Sequence, residues 1–365
     1  MREAFDIVVA HIGDHAGFHG ALPAAMQRVD MVGVFHDAFI ANLAFGCLDG
    51  DAAALRAVLR QSYGEDSWPV GQTFLHDTAD VARRRPMLEW LAQRTIGAVA
   101  HAKHYAARLG RVCLGPTAVI PLAFTVPDLP PSPAPWNRIT IGVVGHANPN
   151  KRIDQLILAI GASPYLRSCC RIRVIGEASD DMRARLNQLA QTARILPLEI
   201  TGWVTDDELR WQLRDVDIMS CLRNPVLEGA SASLILALRS GRPTLVTWHG
   251  SYAEVPPHLV LGCSPEREAY DVMRHLENFH RAPALLLAMG RQAQDFAESH
   301  YSPATYSQAL VSLLHKALSN RPRSAAKRRL TTTLTGFGLA LEDAAVTRAH
   351  TALDELLSRE GRIVS

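Results

Sequence analysis

Short apolar runs that alternate with helical patterns dominate the second half of the chain and constrain its fold most strongly. The runs are rich in Val, Ile and Leu, and polar residues seldom interrupt them, which is typical of strands buried on both faces of a parallel sheet. They lie at residues 139–144, 172–175, 198–201, 217–222, 244–247 and 258–261. Between them, residues 153–160 carry an apolar helical stripe, and residues 205–208 have the form of a capping box that begins a helix. This alternation predicts a doubly wound α/β domain.

The first 125 residues show the same alternation with fewer strands. Helical patterns lie at residues 52–61 and 87–94. The predicted strands lie at residues 6–12, 31–35, 97–100 and 118–122. Four strands make a thin open sheet, so this half of the chain is predicted to be a shortened α/β domain.

A proline-rich stretch separates the two halves. Residues 126–136 contain five prolines, and proline lacks a backbone donor, so the stretch is predicted to be a semi-rigid linker. We therefore expect a shortened domain at residues 1–126, a linker at residues 127–136 and a complete domain at residues 137–320.

The last 45 residues differ in character from both domains. The segment from Arg321 to Arg329 carries five basic residues and no acidic one. It is predicted to be a solvated linker before a final helix at residues 341–358, and contact with an anionic membrane surface is the alternative interpretation.

Composition excludes several classes of protein. The chain has 365 residues, 48% of them hydrophobic, so it can bury a core and does not resemble a disordered chain. Its net charge of +2 is smaller than a dedicated nucleic-acid binder usually shows, and no apolar run is long enough to span a membrane. The start resembles no signal peptide, and the six scattered cysteines suit reduced thiols in the cytoplasm.

The segment that follows residues 139–144 is the first candidate binding site. It reads Gly145-His-Ala-Asn-Pro-Asn-Lys151-Arg152, and a helix is predicted to begin near Arg152. Ligands of open α/β sheets bind beyond the carboxyl ends of strands, where a glycine lets the backbone approach and a lysine neutralises phosphate. The segment matches neither GxxxxGK[ST] nor GxGxxG, and a turn with a solvated lysine is the alternative interpretation.

A second candidate is the loop after residues 217–222. There Glu228 precedes a run of small residues and a predicted helix that ends at Gly241. Free N–H groups at a helix N-terminus hold phosphate well, and Glu228 could accept hydrogen bonds from sugar hydroxyls. A carboxylate that only stabilises the helix dipole is the alternative.

Two histidines end predicted strands at the same edge of the first sheet. His36, followed by Asp37, ends one strand, and His101 ends another. A histidine at this edge can donate to a phosphate or a hydroxyl, and a structural role is the alternative.

Taken in order, these stretches resemble the retaining glycosyltransferases of family 4, whose GT-B architecture has two Rossmann-like domains that face a cleft. Residues 145–159 resemble the family stretch G-x5-K-(G/R)-x3-L-(I/L)-x-A, and residues 173–177 (RVIGE) resemble its L-x-I-x-G strand. Residues 200–213 (ITGWVTDDELRWQL) and 217–241 resemble the strand and E-G helix segments that follow, and residues 253–256 (AEVP) the next short motif. In the first domain only VFHD, AHAKHYAARL and AVIPLAF resemble family stretches.

The resemblance implies a nucleotide-sugar donor, such as a UDP- or GDP-sugar, and no metal ion or other cofactor. By position it implies that Lys151 contacts the donor diphosphate, Glu228 touches the donor sugar and His101 lies near the reacting sugar. It implies an acceptor side that contains His19, His36 and Asp37. The expected donor-binding residues are Gly145, His146, Asn148, Lys151, Arg152, Glu228, Gly229, Ala230, Ser231, Ala232 and Ser233.

Three features depart from the family pattern. Leu236 stands where the second glutamate of the E-x7-E motif usually binds the nucleotide ribose. His146 stands where many members carry an arginine for the phosphates. The glycine-rich first loop is absent, and Gly13 to Gly20 forms a glycine- and histidine-rich turn instead.

These observations predict a retaining glycosyltransferase that transfers sugar to a glycan or lipid-linked acceptor in surface polysaccharide or glycoconjugate biosynthesis. Its expected location is the cytoplasm, with peripheral contact to the inner face of the membrane through Arg321 to Arg329. A non-catalytic relative that binds nucleotide-sugar or acts as a scaffold is the alternative, because fold does not imply function. Another GT-B enzyme, such as a sugar-nucleotide 2-epimerase or an inverting transferase, is a third hypothesis.

Overall fold

Two units divide the chain, and each contains segments from distant parts of the sequence. The computed structural model describes residues 5–49, 51–64, 84–125, 129–130 and 138–360. Unit 1 comprises Met1–Pro121, Leu227–Ala230 and Tyr306–Ser365, whereas unit 2 comprises Leu122–Val226 and Ser231–Thr305. This division differs from the predicted boundaries, because residues 227–230 and 306–320 belong to unit 1. Most of the predicted linker at residues 127–136 lies outside the described residues.

Unit 1 contains a sheet of four parallel strands whose neighbours follow chain order, β1-β2-β3-β4. All four predicted strands are confirmed, and their ends differ by a few residues at most. The observed bounds are β1 (Val8–Ile12), β2 (Met31–Phe35), β3 (Gly97–Ala100) and β4 (Thr117–Val119).

Six helices of unit 1 lie between or beside these strands in the described residues. The helix predicted at residues 52–61 begins at the N-cap Asp51, whose Oδ1 accepts the Ala54 N–H at 2.8 Å, and ends at Gly64, with φ +76°. The helices are α1 (Ala16–His19), α2 (Leu22–Ala25), α3 (Ala41–Cys47), α4 (Ala52–Tyr63), α5 (Leu88–Ala92) and α6 (Lys103–Val112).

The two faces of the first sheet are buried by different parts of the chain. Alternate side chains such as Ile12 and Phe35 pack in a core with residues of α3 to α6. On the opposite face, Val32 and Val34 pack with Leu313 of α14 (Pro303–Ser319), a helix that comes from far along the chain. The sheet therefore has buried faces on both sides, as its apolar strands require, although the strand order contains no reversal among the described residues.

The basic segment at Arg321 is a helix, which corrects the prediction of a linker. Helix α15 (Arg321–Gly336) is followed by α16 (Ala344–Glu360). The Ser324 hydroxyl is buried and donates to the Leu114 carbonyl, Lys327 pairs with Asp354 at 2.7 Å, and Arg328 pairs with Asp30 at 2.9 Å. Alanine, lysine and arginine are strong helix formers and proline is accepted in the first turn, so the charge run is compatible with a packed helix.

Unit 2 contains a six-stranded parallel sheet in the order β10-β9-β8-β5-β6-β7. Five predicted strands are confirmed, but the last begins later than predicted, because Pro257–Leu259 form a 3-10 turn before it. The bounds are β5 (Ile139–Val144), β6 (Cys170–Ile175), β7 (Glu199–Ile200), β8 (Ile218–Cys221), β9 (Thr244–Thr247) and β10 (Leu261–Cys263).

The helices of unit 2 cover its sheet in two apolar clusters. The predicted capping box is present, with Thr205 and Glu208 bonded to each other's backbone N–H groups. Gly241, the predicted end of the following helix, adopts φ +67° just after the last helical residue, Arg239. The helices are α7 (Ile153–Ala162), α8 (Pro164–Cys169), α9 (Asp180–Ala193), α10 (Asp206–Leu213), α11 (Ala232–Arg239), α12 (Glu268–Arg281) and α13 (Pro283–His300).

The described part of the chain contains helices of up to 18 residues. No helix there combines the length and the apolar character that a bilayer crossing requires.

Candidate active site

The carboxyl ends of β5 and β8 form the candidate donor site in unit 2. These strands are neighbours, and the sheet extends from β5 through β6 to β7 on one side and from β8 through β9 to β10 on the other. Ligands of open parallel sheets bind at such a reversal of strand order. The predicted loop at Gly145 follows β5, and Arg223 follows β8 by two residues.

Gly145 makes the turn that leaves β5. Its φ is +92°, a conformation that side chains disfavour, and its N–H donates to the Ile175 carbonyl at 2.9 Å. A Cβ at this position would lie 3.2 Å from Lys151 Nζ. Glycine therefore permits the turn and leaves room for the lysine.

Lys151 is buried at the end of β5. It ends the 3-10 turn Pro149–Lys151, which the Asn148 side chain caps by accepting the Lys151 N–H at 3.2 Å. Its Nζ donates to the Val144 carbonyl at 2.6 Å, and the residue is only 8% exposed. The alternative interpretation of a solvated lysine is therefore wrong, because the side chain is buried and its ammonium group donates to a backbone carbonyl at the end of β5.

Two other predicted residues of this loop have different surroundings. His146 is exposed on the loop. The Arg152 Nε donates to Glu268 Oε2 at 2.8 Å, and the buried Glu268 also accepts the Thr247 hydroxyl at 2.7 Å. Arg152 thus has an internal carboxylate partner, and its predicted contact with the donor stays a prediction.

Arg223 is a candidate residue that the sequence analysis missed. It is 7% exposed, its N–H donates to the Thr247 hydroxyl at 2.8 Å, and its guanidinium donates to Ser233 Oγ at 3.1 Å. Ser233 lies in the first turn of α11, whose N-cap Ser231 accepts the Leu234 N–H at 3.3 Å. A second cation therefore lies beside a helix N-terminus at the same strand reversal as Lys151. The sequence signal that could have identified Arg223 is its position just after a predicted strand.

Trp203 is a second residue that the sequence analysis did not select. It follows Gly202, whose φ is +79°, beyond the end of β7, and 72% of Trp203 is exposed. The preceding Thr201 accepts the Gly176 N–H at 3.2 Å, and a Cβ on Gly176 would collide with the Gly145 backbone. Gly176 thus contacts both Thr201, just before the Trp203 segment, and Gly145, in the loop that carries Lys151.

Leu236 occupies the position that corresponds to the second glutamate of the E-x7-E motif. It is 5% exposed in α11 and packs in an apolar cluster with Phe124, Val144 and Tyr301. A carboxylate here would be buried among apolar side chains, so this position in the present chain suits leucine.

Glu228 lies in unit 1. Residues 227–230 pair with the strand end after β2: the Ala38 N–H donates to the Leu227 carbonyl at 2.8 Å, and the Gly229 N–H to the His36 carbonyl at 2.9 Å. A Cβ on Gly229 would collide with the Tyr105 hydroxyl. The Gly229 amide is therefore engaged by His36, which corrects the prediction of a free N–H group there, and Ala230 remains a donor-binding prediction.

A row of histidines lies at the carboxyl ends of β1, β2 and β3. His11 Nδ1 is 2.8 Å from His36 Nε2, and His36 Nδ1 is 3.1 Å from His101 Nε2. The two predicted histidines are thus brought together with His11, which the sequence analysis missed although it occupies a predicted strand. Burial lowers the pKa of all three, that of His36 to about 4, and for His36 the neighbouring imidazoles add to the effect.

Two carboxylates lie beside these histidines. Asp37 accepts the Asp14 N–H at 2.8 Å, and Asp14 accepts the Leu43 N–H at 2.9 Å. Burial raises the pKa of Asp14 to about 7 and that of Asp37 to about 6, and Glu228 adds to the shift of Asp37. A Cβ on Gly13 would contact both His19 and Asp37, so these two predicted residues also lie together. Asp14 was missed, because nothing in its sequence context distinguishes it from a turn residue.

Among the described residues, no group of three or more His, Cys, Asp or Glu side chains has the arrangement of a metal site. The rings of the histidine row hydrogen-bond to one another.

Many solved structures are similar to this chain. The sucrose-phosphate synthase of Thermosynechococcus elongatus matches with a TM-score of 0.61 and 14% identity, over 87% of this chain and 75% of that one. The Anabaena protein HepE in complex with UDP matches with a TM-score of 0.59 and 14% identity, over 86% and 80% of the two chains. The chain has the GT-B fold.

A third structure supports the same assignment of fold. A TarM variant of S. aureus in complex with UDP matches with a TM-score of 0.53 and 16% identity, over 80% of this chain and 53% of that one. No family profile matches the sequence, and no curated protein sequence matches it. At these identities the similarity establishes the GT-B fold alone.

Proposed function

We propose that this GT-B protein is a glycosyltransferase that binds a nucleotide-sugar through unit 2. The observation that carries the proposal is the pair of buried cations, Lys151 and Arg223, at the reversal of the six-stranded sheet. Two buried cations at a reversal of strand order, one of them beside the N-terminus of α11, suit a diphosphate. The UDP in the HepE and TarM complexes supports a nucleotide diphosphate as the ligand class.

The proposed reaction transfers the sugar to a glycan or lipid-linked acceptor with retention of configuration and without a metal ion. The bond between the anomeric carbon and the diphosphate oxygen breaks with its electrons staying on the diphosphate. The acceptor hydroxyl gives up its proton to a base at the site, and its oxygen forms a bond to the anomeric carbon on the same face of the sugar. Negative charge then grows on the departing diphosphate. Lys151, Arg223 and the start of α11 would stabilise that charge, which is usually the largest catalytic contribution.

Unit 1 is proposed to handle the acceptor. His19, His36, Asp37 and His101 lie at one sheet edge with Glu228, and imidazole and carboxylate groups bind sugar hydroxyls. A role in surface polysaccharide biosynthesis at the cytoplasmic face of the membrane belongs to the same proposal. The basic residues of α15 that bond within unit 1 hold that helix in place, and contact with a membrane would use its remaining surface.

Donor binding is tested by thermal shift with UDP, GDP and their sugars, because a ligand that binds the folded state raises apparent stability. We expect one nucleotide class to raise Tm. Lys151→Ala should weaken its binding by about 1.5–3 kcal/mol, or about 10- to 100-fold in Kd by calorimetry. Lys316→Ala, an exposed lysine of α14, is the control.

Equal affinity of Lys151→Ala and wild type for the nucleotide would refute the assignment of Lys151. Binding without transfer to any glycan or lipid-linked acceptor, and without donor hydrolysis, would favour the non-catalytic alternative. The replacement of the second glutamate by Leu236 is the observation that keeps this alternative in view.

A further inference from the structure

The hydrogen-bonded row formed by His11, His36 and His101, here called the histidine chain, has a feature that sugar binding does not require. Nitrogen atoms of neighbouring rings lie 2.8 and 3.1 Å apart. The ring planes differ by 16° for His11 and His36 and by 40° for His36 and His101. Each link thus needs one nitrogen that carries a hydrogen and one that carries a lone pair.

A backbone carbonyl determines the direction of all these bonds. His101 Nδ1 lies 2.8 Å from the Ile120 carbonyl oxygen, which can only accept, so His101 Nδ1 carries the hydrogen. In a neutral ring the His101 Nε2 is then an acceptor, and His36 Nδ1 must donate to it. By the same step His11 Nδ1 donates to His36 Nε2, and His11 Nε2 carries the terminal lone pair.

The surroundings favour the neutral form of the histidine chain, and its two ends differ in exposure to solvent. His101 is buried, and its N–H donates to the Tyr105 hydroxyl at 2.6 Å, while the Tyr306 ring lies 6.3 Å away. His11 is exposed. The other titratable groups nearby are His19, a like-charged neighbour when protonated, and Asp37, the residue after His36. Burial and mutual repulsion disfavour a charge on any ring, which leaves a lone pair available at neutral pH.

We propose that the histidine chain is a proton relay for the acceptor, with His11 Nε2 as the atom that takes the proton. This inference rests on the proposed glycosyl transfer. The acceptor O–H bond breaks, its proton binds His11 Nε2, and the proton on His11 Nδ1 moves to His36 Nε2. The oxygen's electron pair forms the bond to the anomeric carbon, and the diphosphate leaves with the electrons of the broken bond.

Hydrogen bonds at the centre of the protonated chain offset part of the burial and repulsion that lower the pKa of His36. A cationic His36 donates from Nε2 to His11 and from Nδ1 to His101, and hydrogen bonds from a charged donor are the stronger kind. His11 is therefore the group that touches the acceptor hydroxyl, whereas His36 and His101 are positioning residues that receive the charge and set the tautomers.

The tautomers can be measured without substrate. In the full-length protein with ¹⁵N-labelled histidine, long-range ¹H–¹⁵N correlations at pH 8 should show the Nδ1–H form at all three residues. A neutral histidine that lacks an ordering partner is not forced into this form. Assignment uses single His→Gln variants, and His315→Gln, an exposed histidine of α14, is the control.

The order of tautomers along the histidine chain should depend on His101, its buried end, and not on His11. His101→Leu should release His36 and His11 from the Nδ1–H form, whereas His11→Gln should leave His36 and His101 in it. Circular dichroism verifies the fold of His101→Leu, and the wild-type tautomers decide the order if that variant does not fold. Nε2–H forms in the wild type, or an order that survives His101→Leu, would overturn the relay.

Activity then tests the role of His11. His11→Gln should lower kcat at least tenfold with the donor KM unchanged, and it should remove the acidic limb of the pH profile of kcat. Equal kcat in His11→Gln and wild type would overturn the relay while glycosyl transfer stands. Failure of the wild type to transfer sugar would instead overturn the proposed function, and the tautomers would still decide the order of the chain.

Discussion

The two units bury a parallel sheet in different ways. In unit 2, six strands with a reversal between β5 and β8 are covered by helices of the same unit. In unit 1, four strands follow chain order, and α14 covers the face opposite α3 to α6. A sheet without a reversal places its right-handed crossovers on one side, so the other face needs a partner from elsewhere in the chain.

The difference extends to the chemistry at the two sheet edges. Unit 2 gathers cations where two strands diverge, a geometry suited to phosphate. Unit 1 gathers imidazoles and carboxylates from three adjacent strand ends, a set suited to hydroxyl groups and proton transfer. Two parallel sheets of one chain thus carry different chemical groups at the carboxyl ends of their strands: cations in unit 2, and imidazoles and carboxylates in unit 1.

The comparison predicts that unit 1 depends on α14. Leu313→Asp would bury a carboxylate against the sheet where Leu313 is now 3% exposed, and such a change costs about 4 kcal/mol or more. Hydrogen exchange should show loss of protection in β1 to β4 and retention in β5 to β10. Val311→Asp on the same helix, where the side chain is 49% exposed, should leave both sheets protected. Uniform loss in both sheets would contradict independent burial of the two units.

Glu228 tests whether a carboxylate of unit 1 acts in transfer. Glu228→Gln keeps the shape but removes the charge, and a hydrogen bond to a charged group contributes about 1.5–3 kcal/mol. We expect kcat to fall about 10- to 100-fold with nucleotide affinity unchanged, measured by steady-state kinetics and calorimetry. Gln294→Glu on α13 in unit 2 is a charge-changing control that should alter neither. If transfer and hydrolysis persist at the wild-type rate, the role of Glu228 is to pair residues 227–230 with the strand end at Asp37.

Trp203 tests whether the edge of unit 2 also holds a base. Stacking of a base on an aromatic ring is worth about 1–3 kcal/mol, so Trp203→Ala should weaken nucleotide binding about tenfold. In the wild type, nucleotide should quench tryptophan fluorescence, and the quenching should disappear in the variant. Trp211→Ala, an exposed tryptophan of α10, is the matched control. Quenching that survives Trp203→Ala would assign the base to another surface.

Asp14 has the smallest expected effect, and its sign follows from its raised pKa. Burial raises the folded-state pKa of Asp14 to about 7, above the ordinary value of an aspartate, so stability falls as pH rises between these two values and stays constant above them. Asp14→Asn removes the titration, so its unfolding free energy relative to wild type should increase by about 1 kcal/mol from pH 6 to pH 8. Urea unfolding at both pH values measures the difference, and Asp180→Asn, at an exposed residue of α9, is the control. An equal difference at both pH values would contradict the burial of Asp14.

The sequence predicted most strands because their signal is local. The bounds of β2, β3, β5 and β9 match the predicted ones, since a strand buried on both faces must be apolar throughout. The loop at Lys151 was predicted because a glycine and a lysine beyond a strand end are visible in the chain itself. Helix α15 was mistaken for a linker, because a run of basic residues does not reveal the carbonyl and carboxylate partners that lie far away in sequence.

By itself, the sequence determined two α/β regions, the strand ends that carry His36, His101 and Lys151, and the absence of a glutamate at Leu236. Periodicity and chain order suffice for these, since each depends on neighbours within a few residues. Tertiary structure alone decided that α14 closes the first sheet, that Glu228 lies in unit 1, and that Ile120 orients three imidazoles. Those outcomes depend on contacts between residues as far apart as Val32 and Leu313, which no local pattern records.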